Sequence, residues 1–325
     1  MIEPPITVGR GFCPRFLAVA ALVLVACQAC LGADEITKER FLKEYQAALP
    51  RLKSAYEHVR ISGFWREHSE RLVKPAPDPP DPRPPEEYFV WRSGGRRKFR
   101  LDRDDRLRVN GRIQIVPTGR IMVIDGDQSF GLIRTGNHPV YRLQYKPLPR
   151  MLVLGVCTRL VEGVVDAPLM MLGVEMSKLT AGDAFTLESV TILESGGRKR
   201  YKATFVYRPV GEKLADVSGW FTVVPGNSWV LEEADVVAHD NGANGPGPIP
   251  HNIHIRNEYD DTGKIPKPTG LDWRDVSERY VRTMSFKTTS WDFQETPAKE
   301  FTMESYGVKP TDPPLGNNAA ARGVK

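Results

Sequence analysis

Asn110-Gly111 sits between two runs, RLRV and RIQIV, in which apolar and polar residues alternate. Asn-Gly tolerates the positive φ angles of a two-residue primed turn, whose twist matches that of the strands it joins. The stretch therefore predicts a β-hairpin. The same signal recurs. Asp125-Gly126 divides RIMVIDGDQSFGLIR, Gly196-Gly197 divides FTLESVTILESGGRKRYKATFVYRP, and Pro225 to Ser228 turns GWFTVVPGNSWVLEEADVV. HNIHIRNEYDDTGKI adds a strand and a turn, and RYVRTMSFKTTSWDF another strand. From Tyr88 onward the turn signals count out an antiparallel meander of about nine to twelve strands. The fold class is α+β, mainly β, with the meander forming a curved sheet or half-barrel.

Two segments break the strand rhythm. In DEITKERFLKEYQAALPRLKSAYEHVRISGFW, Phe41, Leu42, Tyr45, Ala48 and Leu49 recur at helical spacing. This predicts an amphipathic N-terminal helix that ends near Pro50, because proline lacks the N–H and crowds the preceding turn, with another turn following it. HVRISGFWRE then shifts toward strand. The second segment, Pro147 to Asp183, is apolar without alternation. It predicts short helices, the main one around Leu169 to Leu179, with Pro168 at its start and Gly182 past its end. Between helix and meander, seven of the eleven residues from Pro75 to Pro85 are proline. Lys74 to Glu87 therefore reads as an extended loop and stiff spacer. The tail, residues 309–325, reads as disordered.

The first residues carry an address. Arg10 and Arg15 precede eleven apolar residues, Phe16 to Ala26, and small residues follow. That is the layout of a secretory signal peptide. A membrane-spanning helix needs roughly 20 apolar residues. Cleavage before Asp34 gives a free chain from a label spanning residues 1–33. Leu24-Val25-Ala26-Cys27 resembles the lipobox of bacterial lipoproteins, in which the cysteine becomes the lipid-modified first residue. That resemblance makes Cys27 a candidate lipidation site and membrane tether, and both endings stay open. What remains, residues 34–308, is long enough for one large domain with a substantial core.

Cysteine usage agrees with a core that needs no staples. Cys13, Cys27 and Cys30 lie in or beside the label, and Cys157 stands alone in an apolar stretch, so no disulfide framework exists. Cys157 reads as a small buried hydrophobe. The net charge of +5 is small for 325 residues, and nothing in it calls for a strongly acidic partner.

An export label, an amphipathic helix, a long meander and an apolar segment within it, spanning most of residues 35 to 308, form a layout that resembles the lipoprotein-carrier family of the LolA type. The resemblance implies a curved half-barrel sheet wrapped around helices, with lipid acyl chains held between them. The chain is longer than a typical carrier, and the proline loop is a departure. No short motif carries the likeness, so no functional residue is transferred.

The residues themselves offer three candidate sites. Leu169, Met170, Met171 and Met176 form an apolar surface; methionine adapts to irregular partners, including lipid, although such a face is more often core. Arg92 to Arg112 is the most basic stretch, with nine Lys or Arg and three Asp in 21 residues. Arg96, Arg97, Lys98 and Arg100 could meet an anionic surface. The plainer reading is a solvated strand face with its own Asp partners. His239, Asp240, Asn244, His251 and His254 suggest metal at first sight, but Gly242 and His251 occupy positions where a calcium loop needs carboxylates. His251 and His254, three apart on a strand, point to opposite faces. No metal or cofactor is expected. No nucleophile elbow, zinc motif or phosphate-binding loop is present, and no nucleic-acid motif.

Three functions follow. The first is an exported envelope protein that binds an apolar ligand, lipid or lipoprotein acyl chains, without catalysis. The second is a structural or interaction module of the envelope with a filled core. The third, an enzyme, requires converging polar groups that one sequence does not reveal.

Overall fold

The computed structural model describes residues 36–72, 85–109, 112–126, 128–136, 138–149, 165–208, 214–240 and 249–314. From Lys38 onward the chain forms one compact unit. Cys27, Cys157, the Asn110-Gly111 turn and most of the proline loop lie outside the described residues.

The chain opens on helix α1 (Lys38–Ala55) and continues into β1 (His58–Arg71), β2 (Glu86–Ser93), β3 (Arg96–Val109), β4 (Arg112–Asp125), β5 (Gln128–Thr135) and β6 (Arg142–Pro149). A two-stranded hairpin, β7 (Met170–Met171) and β8 (Val174–Glu175), leads into α2 (Met176–Ala181). The second series is β9 (Phe185–Ser195), β10 (Arg198–Tyr207), β11 (Leu214–Val224), β12 (Val230–Asp240), β13 (Pro250–Asp260), β14 (Lys267–Val276) and β15 (Tyr280–Asp292). Two 3-10 turns, Ala298–Phe301 and Glu304–Tyr306, close the described chain. Among the described residues no helix is long and apolar enough to cross a membrane.

Thirteen strands form one open, curved antiparallel sheet: β1, from the HVRISGFWRE stretch, and twelve from the region in which turns counted nine to twelve. Its order is β6-β5-β4-β3-β2-β1-β15-β14-β13-β12-β11-β10-β9. Two meanders are therefore joined at one seam, where the first strand pairs with the last from Arg60↔Asp292 to Arg71↔Tyr280. The turn chemistry holds where it is described: Gly126 has φ 58°, and Gly196 and Gly197 have 60° and 75°.

Two expectations are corrected. α1 does not stop at Pro50 but runs on to Ala55. Pro50 is exposed, so the missing bond lies on the water side, while buried Leu49 and Leu52 hold the helix down on either side of it. The long helix around Leu169 to Leu179 is also absent. Leu172 and Gly173 turn with φ of 56° and 78°, which folds the segment into the β7–β8 hairpin and leaves only the six residues of α2 before Gly182.

The two faces of the sheet are filled differently. On one, α1 crosses the second meander and seats Phe41 and Tyr45 against Tyr201, Phe221 and Trp229. On the other, Ile121, Val123, Phe130, Leu132 and Leu143 of the first meander are capped by Phe301, Met303 and Val308 from the C-terminal turns. Burial of this kind contributes about 25 cal/mol per Å² of apolar surface.

Candidate functional site

The α1 side carries the features that a binding site needs. Phe41, Tyr45, Leu49 and Leu52 are buried along the helix, and the remaining flank of α1 is rich in small residues. Opposite that flank is the turn after β11, where Ser228 and Trp229 both have positive φ, 58° and 64°. Such angles are uncommon for residues other than glycine. Here they bring the Trp229 ring within 5.3 Å of Tyr201 and 5.8 Å of Phe41, centroid to centroid.

Between helix and turn lies a groove of about 630 Å³. Ala47, Ala48, Leu52 and Ala55 line it from α1, and Trp229 and Ile265 face them, with Glu44 and Arg51 as its charged members. The alanines leave the space open. This volume falls in the range of ligand sites, roughly 300–1,000 Å³, and the mixture of apolar wall and few polar groups suits one.

The apolar segment stands beside α1. Gln46 Nε2 donates to Thr180 O at 2.8 Å, and Lys53 pairs with Glu175 at 2.8 Å. Asn257 Nδ2 donates to Ala167 O and Leu231 O, at 3.2 and 2.9 Å. Inside this frame Leu169, Met171 and Met176 are buried and Met170 is half-buried. The groove wall comes from α1 and the Trp229 turn, and the methionines pack beneath the surface. Burial also pushes the Tyr45 hydroxyl far above its ordinary range.

A second groove, about 440 Å³, opens at the far end of the first meander, among Glu86, Asp102, Arg103, Asp105, Thr118 and Arg134. Its charges are largely spoken for. Arg103 meets Asp105 at 2.6 Å, Arg120 meets Asp105 at 3.3 Å, and Arg134 meets Asp102 at 3.5 Å.

The basic strand is paired likewise. Arg96 meets Asp125 at 2.9 Å, Arg97 meets Asp166 at 3.9 Å, and Arg100 meets Asp102 at 2.5 Å. Lys98 is only 5 % exposed. Its ammonium lies 4.3 Å from the centre of the Trp91 ring and 3.1 Å from Glu300. Burial lowers the Lys98 pKa, and the bond to Glu300 works against that shift.

His251 and His254 take opposite faces of β13. His251 Nδ1 lies 3.1 Å from Asp275 Oδ1, and Tyr280 donates to Asp275 Oδ2 at 3.2 Å. His254 lies near Glu233 and Asp235 instead. Among the described residues no cluster of three His, Cys, Asp or Glu is placed to hold a metal.

Sequence reasoning missed Trp229, Asp166 and Asn257. Trp229 had a signal, its place in the PGNSW turn. Asp166 and Asn257 had none, because their partners are far away in the chain.

No family model matches the chain, and no curated protein matches it. Solved structures with a similar layout include a DUF1329 family protein from Desulfovibrio piger, with TM-score 0.39 and 10% identity over 82% of this chain and 98% of that one. A LolA superfamily protein from Nitrosomonas europaea has TM-score 0.38 and 10% identity, covering 80% of this chain and 98% of that one. A third, described as a putative outer membrane lipoprotein-sorting protein domain, comes from Vibrio parahaemolyticus; its TM-score is 0.39 at 9% identity, over 82% and 99%.

Proposed function

We propose that this is an exported protein of the bacterial cell envelope that holds an apolar ligand, a lipid or acyl chain, without catalysing a reaction. The observation that carries the reading is the groove between the alanine flank of α1 and Trp229. It offers apolar walls to a chain, and Arg51 at its margin offers a charge-assisted contact to an acidic headgroup. Leu169, Met170, Met171 and Met176 do not line this groove; they belong to the segment bonded to α1 through Gln46 and Lys53, and methionine's adaptability keeps them candidates for contact with a bound chain. The layout of the first 33 residues supports export to the periplasm. Lipidation at Cys27 would tether the protein and make it a fixed acceptor; cleavage before Asp34 would free it to shuttle.

A second reading, an envelope interaction module with a filled core, draws on the burial of Leu169, Met171 and Met176 by the chain's own residues. Arg96 to Arg100 are a poor anionic-surface site in either reading, since each is paired with a carboxylate.

Mass spectrometry on protein purified from its own envelope separates these readings. Under native conditions the ligand reading expects extra lipid-sized mass that vanishes on denaturation and is missing from Ala48→Trp, which fills the groove. No bound mass on the unaltered protein would overturn that reading and leave the filled module. The denatured mass reports whether the chain begins at lipidated Cys27 or near Asp34.

A further inference from the structure

The two edges of the open sheet are built differently. An edge strand offers a row of unpaired N–H and C=O groups, and proteins blunt it with proline, positive charge, bulges or shortness. β6 has eight residues and carries Arg142, Lys146, Pro147 and Pro149. β9 has eleven, FTLESVTILES, with no proline, lysine or arginine. Among the described residues β9 pairs within the sheet with β10 alone. Its one irregularity is a bulge, where Ser189↔Thr204 is followed by Leu187↔Phe205 and Glu188 is the extra residue. Beyond the bulge, Ser189 to Ser195 is a regular seven-residue edge.

That edge is complementary to itself. In an antiparallel pairing centred on Ile192, each Ile192 opposes its own copy. Thr191 opposes Leu193, Val190 opposes Glu194, and Ser189 opposes Ser195. Residues brought together lie on the same face, because every offset is even. Leu193, 38 % exposed, gains an apolar neighbour in the methyl group of Thr191. Moving the centre to Thr191 would set Glu188 against Glu194, and like charges directly opposite are destabilising. The acidic residues thus disfavour that shift, whereas the pairing centred on Ile192 sets no two like charges opposite each other.

We propose that β9 is a self-association edge, on which a second copy of this chain adds its own β9 antiparallel about a twofold axis at Ile192. The two sheets then continue into each other, and each seven-residue edge satisfies the other's backbone groups. The contact is isologous. It is also narrower than a standard interface of about 1,600 Å², so the dimer forms reversibly as concentration rises.

Sedimentation velocity on the full chain across a concentration series tests this. The unaltered protein is expected to move from monomer to dimer. T191K combined with L193K sets lysine against lysine twice in the pair and is expected to weaken the dimer about tenfold. T191E combined with L193K sets opposite charges there and restores it. Both double variants place their changes on an exposed or half-buried edge, and far-UV circular dichroism checks that each is folded. A chain that stays monomeric at every concentration overturns the proposal, as does a double-lysine variant that dimerises like the parent. Amide protection on β9 that appears only when a foreign extended peptide is added overturns it too, and assigns the edge to that partner.

Discussion

Arg92 and Asp166 form an ion pair inside the protein, 2.5 Å apart, with side chains only 8% and 9% exposed. Arg92 belongs to β2, and Asp166 stands just ahead of the β7–β8 hairpin. The pair fastens the apolar segment to the sheet, and Arg97 approaches the same carboxylate at 3.9 Å.

Asp166→Ala is therefore expected to destabilise the fold strongly. It strands the buried Arg92 guanidinium, and removing one partner of a buried pair typically costs about 3–5 kcal/mol. Replacing both partners, Arg92→Met with Asp166→Leu, removes the stranded Arg92 charge and should recover part of that loss, Arg97 still losing the more distant carboxylate. Urea unfolding of the three proteins decides it. A double variant as unstable as the single one would show that the pair holds the segment by geometry and not by charge balance.

The turns were legible because their signals are local. Gly196-Gly197 and Pro225 to Ser228 announce positive φ or a fixed φ within two or three residues. Phe41, Tyr45 and Leu49 likewise show their helix by spacing alone. The seam was not legible: nothing near Arg60 or Asp292 tells that β1 pairs with β15, more than two hundred residues later. Asp166 and Asn257 were silent for the same reason. Pro50 and the segment from Leu169 misled because local propensity was outweighed by burial on both sides of the first and by the Leu172–Gly173 turn in the second.

The seam itself depends on Gly63. A bulge between Ser62 and Gly63 interrupts the β1–β15 register. A Cβ at Gly63 would run into the Lys287 carbonyl and the Tyr88 hydroxyl. Gly63→Ala is expected to cost about 2 kcal/mol through this clash, in the range of overpacked cores. Hydrogen exchange should show lost protection along β1 and β15 first. Unchanged exchange there would mean that the seam can shift to accept a methyl group.

Lys98 makes a different prediction. Glu300→Ala leaves a buried ammonium under Trp91 without its carboxylate, whereas Lys98→Met keeps the packing and frees a Glu300 side chain that is 35% exposed. Glu300→Ala should therefore be the more harmful, by about 1–2 kcal/mol. The sign with pH follows from the lowered Lys98 pKa. Between that value and 10.5, the unfolded chain binds the extra proton, so this residue makes stability rise with pH. Lys98→Met should remove that rise in urea titrations run at increasing pH.

Tyr45 should respond in the opposite direction. Its hydroxyl is buried and has no hydrogen-bond partner among the described residues, so Tyr45→Phe removes a desolvated polar atom and keeps the ring contacts with Phe41 and Phe221. The variant is expected to be more stable near neutral pH by about 1 kcal/mol. Burial raises the Tyr45 pKa above its ordinary 10. The folded state then keeps a proton that the unfolded state loses, so the stability linked to that proton is full below 10 and falls as pH rises beyond it. Tyr306, pushed up to about 12, contributes a loss confined to the interval from 10 to 12. Each such group steepens the decline by about 1.4 kcal/mol per pH unit. Tyr45→Phe should lessen the alkaline slope by one such group. A slope equal to that of the unaltered protein would mean that the Tyr45 hydroxyl ionises within the folded chain and that α1 gives water access to it.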